Sequence, residues 1–131
     1  MGYLHIGELC ERTGVSRRSL RYYEQHGLLD AVRTPAGWRA YEESAVDRVR
    51  AVRELLDAGM TVDDLQQVAH CLDVGDRDDL SGCPDADRAV ALYEARLGVL
   101  EARLAVLAGH RDRLSERIER LRRRAGLGAR S

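Results

Sequence analysis

"SRRSLRYYEQHGLL", residues 16–29, sets three arginines and two tyrosines within eight positions, in a chain whose formal net charge is -1. Ser16 suits the N-cap of a helix, because its side-chain oxygen accepts an N–H of the first turn. Gly27 offers the stop. Between them, Leu20 and Tyr23 fall on one side at helical spacing, while Arg17, Arg18, Arg21 and Tyr22 occupy an arc on the other. The stretch reads as an amphipathic helix with a basic outer face.

Upstream, Ile6, Leu9 and Cys10 repeat at helical spacing and Gly14 ends the pattern. Two helices joined by a short glycine-containing turn make a helix-turn-helix. Downstream, "LLDAVRTPAGWRAY" (residues 28–41) folds back at Pro35, Ala36 and Gly37 between two short extended runs, a hairpin placed like a wing. Arg39 and Tyr41 alternate onto one side of its second strand. Trp38 is expected to be partly structural.

A further helix carries Val46, Val49, Val52 and Leu56 and stops at Gly59. "TVDDLQQVAHCL" (residues 61–72) opens on Thr61 with Asp64 at its third helical position, a near-capping box, and Leu65, Val68 and Leu72 extend its apolar face. Residues 73–84, "DVGDRDDLSGCP", read as an acidic linker. From Asp85 onward, Tyr93, Leu97, Leu100, Leu104, Leu107, Arg111, Leu114, Ile118, Leu121 and Ala125 alternate steps of four and three. All but Arg111 are apolar or aromatic. That is a coiled-coil seam, and about forty residues at ~1.5 Å each make a rod of roughly 60 Å. A seam of that length has no partner within so small a chain, so a homodimer is expected. The chain therefore reads as mostly α: a winged helix-turn-helix over residues 1–72, the linker over 73–84, and a dimerisation helix over 85–125.

The neutral total hides a partition. Residues 1–53 sum to +2, residues 54–94 to -9 and residues 95–131 to +6; within the first block, residues 12–39 hold six arginines against two acids. No apolar run approaches the ~20 residues of a membrane span, and the N-terminus lacks a signal-peptide core, which places the protein in the cytoplasm with no membrane partner. Three cysteines are too few and too scattered for a disulfide scaffold.

The basic helix fits the major groove of double-stranded DNA, where Arg pairs two donors with guanine and Tyr hydroxyls anchor phosphates. The bland alternative, a solvated charged face, loses ground because cap, turn, helix and wing follow in the order a DNA reader needs. No glycine-rich phosphate loop, nucleophile–base set or paired catalytic carboxylates occur, so an enzyme is not expected.

"IGELCERTGVSRRSLRYYEQHGLL" (residues 6–29), "GWRAY" (residues 37–41) and the terminal coiled coil together resemble the MerR family of bacterial transcription regulators. The resemblance implies a winged-helix homodimer, joined by an antiparallel coiled coil, on a palindromic promoter operator shared with RNA polymerase, whose DNA it distorts. By that carry-over Ser16, Arg17, Arg18, Arg21 and Tyr22 serve DNA binding from the second helix, and Arg39 and Tyr41 from the wing. The family's metal sensors use a cysteine near the start of the dimer helix and a cysteine-bearing loop after its end. Here Cys83 precedes the long helix, but the tail "RLRRRAGLGARS" has neither Cys nor His, so no metal and no cofactor are expected. Cys10 reads as core packing. Cys83, with Cys71 as resolving thiol, is the candidate sensor; an inert linker Cys83, a packed Cys71, an intersubunit metal site with His70 and His110, and a small-molecule signal stay open. The competing function is an effector-independent architectural or excisionase-like DNA-binding protein.

Overall fold

The computed structural model describes residues 2–74 and 85–126. The chain divides into two compact units, Met1–Tyr93 and Glu94–Ser131. The first holds α1 (Ile6–Thr13), α2 (Arg17–Gln25), strands β1 (Val32–Arg33) and β2 (Arg39–Ala40), α3 (Ala45–Asp57), α4 (Val62–Gln67) and a 3-10 turn over Ala69–Val74. It also contains the first turns of α5 (Ala86–Arg124), most of which forms the second unit.

Local signals in the sequence produce most of these boundaries. Gly14 takes a left-handed φ of 72°, and its N–H reaches the Cys10 carbonyl at 2.8 Å, closing α1. Ser16 caps α2 by accepting the Ser19 N–H at 3.1 Å. Gly27 follows α2 with φ 74°. Thr61 and Asp64 exchange side-chain and backbone hydrogen bonds at 3.0 and 3.1 Å, so aspartate completes the capping box. The expected helix over residues 61–72 is shorter than its apolar face: α4 ends at Gln67, Val68 leaves helical geometry at φ -125°, and the chain tightens into the 3-10 turn.

The core of the first unit is built on Leu9, Leu20, Leu28, Leu29, Val49, Val52 and Leu65, all but sealed from solvent. Val68 packs with Cys71 and Ala89 in an adjoining cluster. Leu92 and Tyr93, near the start of α5, lean on both clusters. Tyr93 is thus occupied by the core of its own unit, whereas the later seam residues are bare: Leu97, Leu104, Leu107, Leu114, Ile118 and Leu121 are all exposed, and Leu100 is half-buried. Among the described residues no helix is long and apolar enough to cross a membrane.

Candidate nucleic-acid interface

Four long polar side chains lock the helix-turn-helix together. Helix α1 leaves carbonyls without helical partners at its C-terminal end. From α3, Arg50 donates to the Arg12 carbonyl at 2.8 Å and Arg53 to the Gly14 carbonyl at 2.9 Å. Arg48 reaches the Leu28 carbonyl at 2.7 Å, and Gln66 the His26 carbonyl at 3.0 Å. These bonds fix where α2 starts and ends.

The outer face of α2 carries Arg17, Arg18, Arg21 and Tyr22, all exposed. None of the three arginines has a carboxylate partner among the described residues. Tyr22 rests beside the His26 ring, with centroids 4.3 Å apart. The Arg17 guanidinium lies over α1, so close that a Cβ on Gly7 would sit 3.3 Å from its Nη2. Ser16, although exposed, spends its hydroxyl on the cap and on Ser19.

The wing is short. Val32 faces Ala40 and Arg33 faces Arg39, and an isolated bridge joins Tyr41 to Leu4. Thr34 and Trp38 close the turn through backbone bonds and the Thr34 hydroxyl, around Gly37 at φ 86°. Arg39 and Tyr41 do lie on one side of the strand, but at different depths. Arg39 is exposed, while Tyr41 is only 2% exposed. The expectation of a surface Tyr41 is therefore corrected: its ring belongs to the hydrophobic core, with only its hydroxyl directed to Glu24. Trp38 departs from expectation in the opposite sense, standing 67% exposed at the hairpin turn.

Sequence reasoning missed the residue that joins wing to helix. Glu24, on α2, accepts a hydrogen bond from the Tyr41 hydroxyl at 2.8 Å through Oε1 and ion-pairs with Arg39 through Oε2. The available signal was one carboxylate inside a basic run. With His5, Ile6, Arg21, Gln25, Arg39 and Tyr41, it lines a groove of about 430 Å³. Beside this groove, the exposed Arg17, Arg18, Arg21 and Arg39 make the outer face of α2 and the wing positive and rich in donors.

The cysteines separate. Cys10 is a free thiol packed against the core, as expected. Cys71 is buried and disulfide-bonded. Cys83 lies outside the described residues. No group of metal-binding side chains occurs among the described residues. The His70 ring meets the Asp85 carboxylate, and the His110 ring lies against the Arg113 guanidinium.

The comparisons with known proteins agree with this geometry. Residues 4–70 match the family model described as MerR HTH family regulatory protein. The chain is 36% identical over 75 residues to the mercuric resistance operon regulatory protein of Bacillus cereus, covering 56% of this chain and 54% of that one. It is 38% identical over 66 residues to heavy metal-dependent transcription regulator 2 of Rhizobium meliloti, covering 50% and 45%. The chain thus spans about half the length of the curated relatives it matches. Among solved structures, HiNmlR, a MerR family regulator lacking the sensor domain and bound to promoter DNA, aligns over 98% of this chain and 97% of its own, with a TM-score of 0.66 at 22% identity. A MerR family transcriptional regulator from Bacillus thuringiensis aligns over 91% and 99%, with a TM-score of 0.63 at 18% identity. With the family model spanning half the chain, and the helix-turn-helix, wing and long helix in place, this protein belongs to the MerR family of regulatory proteins.

Proposed function

We propose that the chain is a DNA-binding transcription regulator acting as a homodimer on a two-fold-symmetric promoter operator, where it distorts the DNA that RNA polymerase must use. One observation carries the reading: three exposed arginines on one face of α2 have no carboxylate partner among the described residues, and Arg39 stands on the adjoining wing. The curated relatives are regulators, which favours this over an effector-independent architectural module. The test begins by selecting bound duplexes from a random pool. Affinity of parent and Arg17→Gln/Arg21→Gln for the selected site is then followed across salt. The slope of log K on log salt is expected to fall by about 0.9 for each phosphate that is no longer neutralised. A variant with parental affinity and slope rejects α2 as the DNA face.

The homodimer reading rests on the exposed seam of α5. Taking Leu97, Leu104, Arg111 and Ile118 as the a positions and Leu100, Leu107, Leu114 and Leu121 as the d positions, a parallel pair would set Arg111 against its own copy. An antiparallel pair centred on Gly109 instead matches Leu97 with Leu121, Leu100 with Ile118, Leu104 with Leu114 and Leu107 with Arg111. Every position then has a partner, and Arg111, ion-paired to Asp112 at 3.1 Å, faces leucine rather than a second guanidinium. The same register brings Glu94 within a turn of Arg122 of the second copy.

For the signal, we read thiol chemistry at Cys71, which is disulfide-bonded. Promoter activity under reductant and under peroxide is expected to differ in the parent and to be level in Cys71→Ser. A parental response surviving in that variant rejects the reading.

A further inference from the structure

The charges of α5 are sorted by side. In the heptad frame of the seam, one flank, positions g and c, carries Arg96, Arg103, Arg113, Arg117, Arg120 and Arg124 and no acid. The opposite flank, positions e and b, carries Asp87, Glu94, Glu101, Asp112 and Glu119 against the single Arg122. A solvated helix face normally intersperses its signs, because opposite charges three and four residues apart attract and like charges repel. Here Arg113, Arg117, Arg120 and Arg124 follow one another at steps of four, three and four, so each is set against a like neighbour. Of the six, Arg103, Arg117, Arg120 and Arg124 have no ion-pair partner among the described residues, and every one but the half-buried Arg96 is exposed. Favourable interaction with the negative end of the helix accounts for basic residues in the last turn only. It does not reach Arg96, Arg103, Arg113 or Arg117.

Antiparallel pairing compounds the segregation. Like flanks then meet along the same side of the two-helix ribbon, so one face gathers the basic flanks of both chains and the other gathers the acidic ones. Successive g positions lie about 10 Å apart along the axis, seven residues at ~1.5 Å each.

We propose that this basic face of the paired α5 helices is a second, sequence-independent binding surface for the phosphate backbone of duplex DNA, distinct from α2 and the wing. The inference rests on the antiparallel homodimer proposed above. An acidic protein is the competing occupant. DNA is favoured because the g and c positions from Arg96 to Arg124 hold six arginines and a histidine with no acid, against two exposed valines, Val99 and Val106, too small an apolar surface to anchor a protein.

The test compares two variants of the full chain with equal loss of charge: Arg113→Gln/Arg117→Gln on the face, and Arg88→Gln/Arg123→Gln at the outer f positions. A random-sequence 40-base-pair duplex is the probe, titrated across salt by fluorescence anisotropy. Sedimentation and helicity confirm that both variants are folded dimers, and the single Arg117→Gln serves as a milder version of the first. The salt slope is expected to become shallower by about two to four in the face variant, at ~0.9 for each phosphate released, and by less than about one in the outer variant. Equal slopes in the two variants, with the parent still binding, overturn the second surface and leave the α2 reading intact; an acidic-protein partner gives the same result. A parent without salt-dependent binding to this random duplex overturns the second surface, and the α2 reading is then decided on the selected site.

Discussion

Glu24 places a negative charge in a surface proposed to meet phosphates, and its geometry explains why it is there. One carboxylate oxygen holds the buried hydroxyl of Tyr41 and the other holds Arg39, so a single side chain sets the distance between α2 and the wing. Glu24→Ala is expected to cost about 1–3 kcal/mol in urea unfolding, because the buried Tyr41 hydroxyl loses its acceptor. It is also expected to weaken DNA binding despite removing an acid. Glu24→Gln, which keeps an acceptor, is expected to lose less on both counts; tighter binding by the alanine variant would reject the clamp. Tyr41→Phe is expected to cost about 0.5–1.5 kcal/mol of stability and leave the salt slope unchanged. Two other tyrosines give a pH dependence. Burial pushes the hydroxyls of Tyr23 and Tyr93 above their ordinary value; for Tyr23, nearby Arg53 offsets this in part and Asp57 adds to it. The folded state therefore holds these protons more tightly than the unfolded chain does. Their contribution is complete below about pH 10 and is lost as pH rises through the raised values. Alkaline unfolding followed by circular dichroism is expected to be less steep in Tyr23→Phe/Tyr93→Phe.

Among the elements, what could be read in advance was what is local in the chain. Ser16, Gly14 and the Thr61–Asp64 box act within four residues of themselves, so spacing alone reveals them. The length of α5 was legible for a related reason: an apolar period repeated over many turns marks a long helix without knowledge of any partner. The contacts that assemble the elements were not legible. Arg50 and the Arg12 carbonyl are 38 positions apart, and Arg53 and the Gly14 carbonyl 39 apart, and nothing in the α3 pattern distinguishes these arginines from solvated ones. Depth was equally hidden. Alternation places Arg39 and Tyr41 on one side of a strand, but it does not tell which of them packs into the core, and it is Tyr41 that does. The arginine caps give their own expectation. Arg53→Met, which keeps much of the side chain's reach, is expected to destabilise the first unit by about 1–2 kcal/mol in thermal or urea unfolding by leaving the Gly14 carbonyl short of a donor. A loss below a few tenths would mean that water serves as well.

At the scale of the whole molecule, a short chain keeps one compact core in Met1–Tyr93 and leaves the remaining α5 with its apolar seam uncovered. In the proposed homodimer a second copy covers that seam. Leu100→Asp/Leu107→Asp is expected to convert dimers to monomers in light scattering, since an unpaired charge in a closed contact costs several kcal/mol, roughly. A dimer persisting in that variant would place self-association elsewhere. The chain has one tryptophan, and it sits in the open at the hairpin turn rather than in the core. Its ultraviolet emission is therefore a built-in gauge of the wing. Melting the interior leaves that indole about as wet as before, whereas a partner lying across the hairpin dries it and shifts its emission to the blue. Occupancy of the wing can thus be followed in solution without attaching a dye.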